Sequence, residues 1–222
     1  PPAYDTANRG AALEQLAAAG IDRIEVITNP PVNFKREGSG GIINIITKEA
    51  SQVPGGHLSV QAGEQGMSGA MFRHGGGKDD LRYRFTLSDQ RRDRFDTQAE
   101  KTTTRHMDLR VDYRLSSTDE ITTTFALSRG DWRQGVVENP DFIDPVRRLD
   151  QGTEHFQAKF RRVLDPGNEW SLQFYHTRIR KEDDFAVPTP FGMVPVDYGY
   201  TQWREDIEYQ GIARTSDQLR LV

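Results

Sequence analysis

The residues from Arg105 to Arg114 sort by parity. Met107, Leu109, Val111 and Tyr113 fall on one side, and His106, Asp108, Arg110, Asp112 and Arg114 on the other. Successive side chains of an extended chain point to opposite faces, so a period of two predicts a strand with one apolar and one charged face. The same alternation runs from Leu81 to Ser88 and from Ile121 to Ser128. It recurs more weakly at His57 to Gly63, Ser68 to His74, Glu154 to Arg162, Trp170 to Arg178 and Arg204 to Arg214. That makes about eight strands of about ten residues, with another starting at Leu219.

The connections alternate in length. Gly75 to Asp80, Ser116 to Asp119, Asp165 to Asn168 and Thr215 to Gln218 are short, and Asp-Pro-Gly-Asn is a strong turn signal. Arg92 to Thr104, Gly130 to Thr153 and Lys181 to Trp203 are long; Glu64 to Met67 is the one short connection at that end. Tight turns at one end of an antiparallel sheet and long loops at the other are what a transmembrane β-barrel needs. A ten-residue strand tilted by about 45° rises about 24 Å, close to the apolar band of an outer membrane. A water-soluble β-sandwich, with one face of each strand in a core, has the same alternation.

Composition narrows the classes. Charged residues make up 28% and hydrophobic ones 35% of the 222 residues, and the mean hydropathy of -0.72 is low for a large closed core. A sheet with half of every strand facing water or a wet interior has this balance. The net charge of -4 provides no global basic field, so nucleic acid is not an expected partner. Without cysteine there are no disulfides and no Cys-based metal or redox sites. No apolar run approaches the roughly 18 to 20 residues of a membrane-crossing helix, and the first residues lack the basic and apolar regions of a secretory leader. Both ends read as cut.

The first fifty residues are a different kind of chain. Thr6 or Asn8 is a candidate cap for a short helix through Leu13, Leu16 and Ala17 to Gly20. Two runs rich in Ile and Val, Ile24 to Thr28 and Ile42 to Thr47, then bracket a loop with Pro30, Pro31, Gly38, Gly40 and Gly41. This predicts strand, constrained loop, strand, with Gly40 and Gly41 allowing a close backbone approach.

Ile21 to Lys48 resembles the C-terminal part of the plug domain of TonB-dependent outer-membrane receptors. There a segment like I-D/E-R-I-E-V-I is followed by a loop and then G-G-I/V-I-N-I-I-T-K. The matching residues are Ile21, Asp22, Arg23, Ile24, Glu25, Val26 and Ile27, then Gly40, Gly41, Ile42, Ile43, Asn44, Ile45, Ile46, Thr47 and Lys48. The intervening Thr28-Asn29-Pro30 departs from the usual loop and marks a T-N-P variant subgroup. The resemblance implies a mainly β fold: a partial transmembrane antiparallel β-barrel, about eight strands of a larger one, preceded by the C-terminal part of an α+β plug. Residues 1–50 would be plug, 51–56 linker and 57–222 the first barrel strands, about a third of a 22-stranded wall.

The function so implied is energised uptake of a scarce solute, a siderophore, carbohydrate, peptide or cofactor, across the outer membrane of a Gram-negative bacterium. Outer loops and the plug apex capture the small-molecule ligand, and TonB, contacted through a segment outside this chain, drives the plug to rearrange. Outer-membrane lipid is the other partner. Arg23 and Glu25 alternate with Ile24 and Val26, so they are candidates to pair with wall residues such as Arg82, Arg84, Arg110 or Asp112. In the long loops, Trp132, Phe185, Phe191, Tyr198 and Tyr200 suit ring stacking, while Arg147 and Arg148 suit carboxylate or phosphate. Trp170 and Trp203 near strand ends read instead as membrane-interface aromatics.

Catalytic constellations are weak. His57, His74, His106, His155 and His176 show no metal-ligand spacing, and no cofactor or metal is expected. The acidic runs Asp79-Asp80 and Glu182-Asp183-Asp184 read as solvated loop residues. There is no G-x-S-x-G, no HExxH and no phosphate-cradling loop; Gly75-Gly76-Gly77-Lys78 reads as a tight turn. Two alternatives from other classes are a plugless porin or adhesin-type barrel and a soluble β-sandwich carbohydrate-active enzyme. The second requires an apolar face covered by another sheet and a carboxylate pair about 5 to 10 Å apart in a cleft.

Overall fold

The computed structural model describes residues 21–27, 42–64, 66–94, 100–134, 146–216 and 219–221. The two Ile- and Val-rich runs are strands, β1 (Ile21–Ile27) and β2 (Ile42–Thr47), paired antiparallel with Ile27 opposite Ile42 and Glu25 opposite Asn44. The helix expected before Gly20 and the loop carrying Asn29, Pro30, Gly40 and Gly41 lie outside the described residues. After β2 a single 3-10 turn, Ala50–Gln52, leads into the main sheet.

Eleven further strands follow: β3 (Gly55–Ala62), β4 (Ser68–Lys78), β5 (Leu81–Arg94), β6 (Glu100–Arg114), β7 (Asp119–Gln134), β8 (Arg147–Asp165), β9 (Asn168–Glu182), β10 (Asp184–Thr189), β11 (Gly192–Asp197), β12 (Tyr200–Ser216) and β13 (Leu219–Leu221). Nine of them, all but β10 and β11, form one antiparallel sheet in which each strand pairs with the next along the chain. The order passes from β9 directly to β12, and β10 and β11 make a separate hairpin inserted between them. The fold is mainly β, and the sheet is a partial antiparallel β-barrel.

The strands are longer than the sequence pattern marks. β5 to β9 run for 14, 15, 16, 19 and 15 residues, because Thr- and Arg-rich stretches without clear alternation, such as Glu100–Thr104 and Arg147–Thr153, still pair with their neighbours. The expected loops shrink accordingly, and Lys181 to Trp203 is largely the β10–β11 hairpin. Gly75 to Lys78 belongs to β4, not to a turn; the turn is Asp79-Asp80, with Asp79 at φ 53, a left-handed position that Asp tolerates.

Among the described residues nothing covers the apolar face. Leu58 (70% exposed), Phe72 (42%), Leu109 (37%) and Ile207 (71%) all lie on it, and only Ala50, Val53, Trp132 and Leu149 are buried apolar side chains among the described residues. A soluble sandwich would cover that face with a second layer, and among the described residues no second layer lies on it.

The apolar band drifts across the hydrogen-bonded rows. One row reads Leu58, Phe72, Leu87, Met107 and Leu127 from β3 to β7, but continues as Glu154 on β8 and Arg178 on β9. On β9 and β12 the apolar positions have moved toward the short turns, to Leu172, Phe174, Ile207 and Tyr209. The drift is about one residue per strand, or about 3.3 Å along for each 4.8 Å across, which gives a tilt of about 35°, within the barrel range. At that tilt the 19 residues of β8 rise about 50 Å, about twice the apolar band, so the strands project well beyond it on the long-loop side.

Candidate functional site

The polar face holds the segment that follows β2. Arg84 on β5 and Asp108 on β6 lie on this face at 1% and 3% exposure. The Arg84 guanidinium donates from Nη2 and Nε to Asp108 Oδ1 at 2.7 and 3.3 Å, and from Nη1 to the Lys48 carbonyl at 2.5 Å. Four residues along β6, Asp112 accepts the Ala50 backbone N–H at 3.0 Å, Arg110 Nε at 2.9 Å and the Thr122 hydroxyl at 3.0 Å. The wall thus grips Lys48 and Ala50 by their main-chain groups, with every charge paired, as burial demands.

Glycine lets this segment lie flat. A Cβ at Gly75 would stand 2.0 Å from the Val53 carbonyl oxygen, so the chain crosses β4 only where β4 has no side chain. Beside the grip, the same face carries Thr86, Thr104, His106, Ser128 and Gln151, each with a buried polar atom that has no hydrogen-bond partner among the described residues. These atoms give the same face a polar character beyond the ion pairs.

A second cluster sits at the long-loop end. Asp183 is 1% exposed; its carboxylate takes Arg147 Nε at 2.7 Å and Lys181 Nζ at 3.2 Å, while its carbonyl accepts the Tyr198 N–H. The Arg147 guanidinium also lies 4.3 Å from the centroid of the Phe185 ring, which meets Tyr198 edge-on at 5.5 Å. Arg147, Phe185 and Tyr198, three expected ligand residues, are therefore brought together, but as the tied base of the β10–β11 hairpin. Its tip presents Phe191, fully exposed, beside Met193 at 64% exposure.

At the hairpin base Asp184 stands opposite Asp197. The hydrogen bond and charge of Asp197, with Glu182 and Asp183 nearby, push the Asp184 carboxyl above its ordinary value. A raised carboxyl favours the protonated folded form, so this contribution is present at low pH and lost as pH rises through the folded value. Amide protection across Asp184–Thr189, corrected for intrinsic exchange, is expected to fall between pH 4 and pH 7 in wild type. It is expected to stay flat in Asp197→Asn, and a fall as large as wild type in that variant would contradict the role of Asp197.

Other expectations need correction. Trp132 is not a loop ring: it lies in β7, 8% exposed, against its cross-strand partner Leu149, with its ring over Gly130, where a Cβ would sit 2.0 Å away. Arg148 points to the other face and pairs with Asp131 and Asp150. Tyr200 begins β12, 45% exposed. Arg82 donates to the carbonyls of Asp79 and Leu81, at the β4–β5 turn. Arg23, Glu25 and Asn44 are placed by backbone register alone, so their pairing with the wall lies outside the described side chains. Asp183 is a buried ion-pair centre rather than a solvated loop acid. Asp108, in the polar set of the most regular strand, was not among the expected pairing residues.

The crystal structure of the ferric enterobactin receptor (PfeA) in complex with BCV-L6 matches this arrangement with a TM-score of 0.56 at 19% identity, covering 86% of this chain and 33% of that one. The chain shares the fold of the matched part of that receptor. It spans about a third of the receptor's length. No protein-family model and no curated protein matches the chain.

Proposed function

We propose that the chain is part of a TonB-dependent outer-membrane receptor, its residues from β3 onward forming barrel wall and those up to Ala50 the end of a plug, in the T-N-P variant subgroup. The observation that carries this reading is the division of the two faces: apolar side chains lie uncovered on one, and the other holds the residues leading out of β2 through the buried Arg84–Asp108 pair. A soluble protein has no use for the first feature, and a plugless barrel has none for the second. The resemblance of Ile21 to Lys48 to a plug end and the receptor-like fold support the same assignment.

The implied activity is energised uptake of a scarce small solute, with TonB and the lipid of a Gram-negative outer membrane as partners. The ferric enterobactin receptor makes a chelate one candidate class beside carbohydrate, peptide and cofactor. Mechanically, Lys48 and Ala50 are held by main-chain hydrogen bonds to wall residues, so a pull on the chain before Lys48 can rearrange β1 and β2 while the anchor stays fixed. Phe160, Trp170 and Tyr209, with ring centroids 5.2 and 6.2 Å apart, form an aromatic rim near the short turns, and Trp203, 67% exposed, sits near the long-loop end of β12. Both positions suit membrane interfaces.

Membrane fractionation tests the assignment. The intact protein is expected in the outer-membrane fraction, released only by detergent, and growth on its solute is expected to need TonB. Recovery in the soluble fraction without detergent overturns the reading.

A further inference from the structure

A groove of about 500 Å³ runs along the apolar face where the band ends on β4 to β7. Phe72, Leu87, Met107 and Leu127 form its floor, one residue from each strand in a single hydrogen-bonded row. Its upper wall, two residues along each strand toward the long loops, includes Arg105 and Arg129, which are direct cross-strand partners. Like charges placed opposite each other on one face repel. Asp89 offsets little of this: its carboxylate is shared between Arg91 at 3.3 Å and Arg105 at 3.1 Å. Arg129 has no ion-pair partner among the described residues, and Gly152, its neighbour on β8, adds no side chain on its other side. The acids further round, Glu154 and Asp150, are engaged by Arg178 and Arg148.

We propose that this groove is a binding site for a phosphate-bearing membrane lipid, its acyl chains lying on Phe72, Leu87, Met107 and Leu127 and its phosphate bridging Arg105 and Arg129. An anion set between the two guanidinium groups converts their repulsion into a pair of charge-assisted forks, the geometry Arg favours for phosphate. The site stands where apolar and charged rows meet, so one amphiphile satisfies both halves, whereas free phosphate would leave the apolar floor bare. The inference rests on the membrane reading above and adds the chemistry of the lipid and the residues that select it.

Native mass spectrometry of the intact protein in a neutral detergent tests it, with dioleoyl phosphatidic acid, dioleoylglycerol and inorganic phosphate as separate probes. Phosphatidic acid is expected to be retained about tenfold better than dioleoylglycerol, the loss expected for one charged hydrogen-bonding group. R105Q/R129Q is expected to abolish that preference, and K101Q/R133Q, which removes the same charge further from the band, to keep it. Heat-modifiable gel mobility shows that each variant is folded; should R105Q/R129Q not fold, R105K/R129K is measured instead and is expected to show a reduced preference. Equal retention of the two lipids, equal binding by the double Gln variant, loss of preference in K101Q/R133Q, or inorganic phosphate held as tightly as the lipid overturns the site while leaving a detergent-dependent barrel intact. A protein that stays dispersed without detergent overturns the membrane reading together with the site.

Discussion

Replacing Arg84 by Ala is expected to destabilise the folded protein by about 3 to 5 kcal/mol, the cost of leaving one member of a buried ion pair alone. Arg84 and Asp108 are exposed by 1% and 4% at their side chains, so water cannot take over the role of the missing partner. The same substitution frees the Lys48 carbonyl, so the loss has a local component as well. Two measurements separate them. The midpoint of denaturant unfolding reports the whole effect, and hydrogen exchange at residues 48–53 reports release of the segment. The double variant R84A/D108A is expected to recover part of the loss, since no orphan charge remains. If R84A unfolds at the wild-type midpoint, the pair does not hold the segment on the wall.

Replacing Gly75 by Ala is expected to have the next largest effect, toward the upper end of the roughly 1 to 3 kcal/mol typical of overpacking. The added methyl would lie 2.0 Å from the Val53 carbonyl oxygen and 2.9 Å from its carbonyl carbon. Both are main-chain atoms, and no side-chain rotation clears them. Either β4 or the crossing segment must shift, and the segment, held at Lys48 and Ala50, is expected to lift after Val53. Gly56 is the contrasting control: a Cβ there meets its nearest neighbour only at 4.0 Å, so Gly56→Ala is expected to leave both the unfolding midpoint and exchange at residues 48–53 near wild type. Equal behaviour of the two variants would refute the crossing as the constraint.

The strand pattern was legible wherever one face is apolar. Arg105 to Arg114 alternates without a break, and its partners in β5 and β7 fall in the register that places Leu109 between Phe85 and Phe125. The upper strands were not legible, because apart from Trp132 and Leu149 both faces there are polar and the alternation that signals a strand disappears; Thr102 to Thr104 and Arg147 to Gly152 are held by pairing with neighbours, a property that no single segment displays. The anchoring residues were half legible. Arg84, Arg110 and Asp112 stood out as charges on the inner parity, but Arg84 pairs with Asp108 and the Lys48 carbonyl, and Asp112 with Arg110 and the Ala50 N–H; a main-chain partner leaves no trace in residue types. Asp183 misled for the opposite reason: three acids in a row look solvated, and only the fold shows Arg147 and Lys181 converging on the middle one.

The β10–β11 hairpin bears on how copies of this chain meet one another. A lone two-stranded ribbon with a greasy tip invites a neighbouring molecule to zip onto its open edge and seed aggregates. Pro188, opposite Met193, and Pro195, opposite Ala186, each remove a backbone donor from that ribbon, and Asp184 and Asp197 crowd its root with like-charged groups. Each strand of the ribbon therefore opposes edge-to-edge pairing with a second copy.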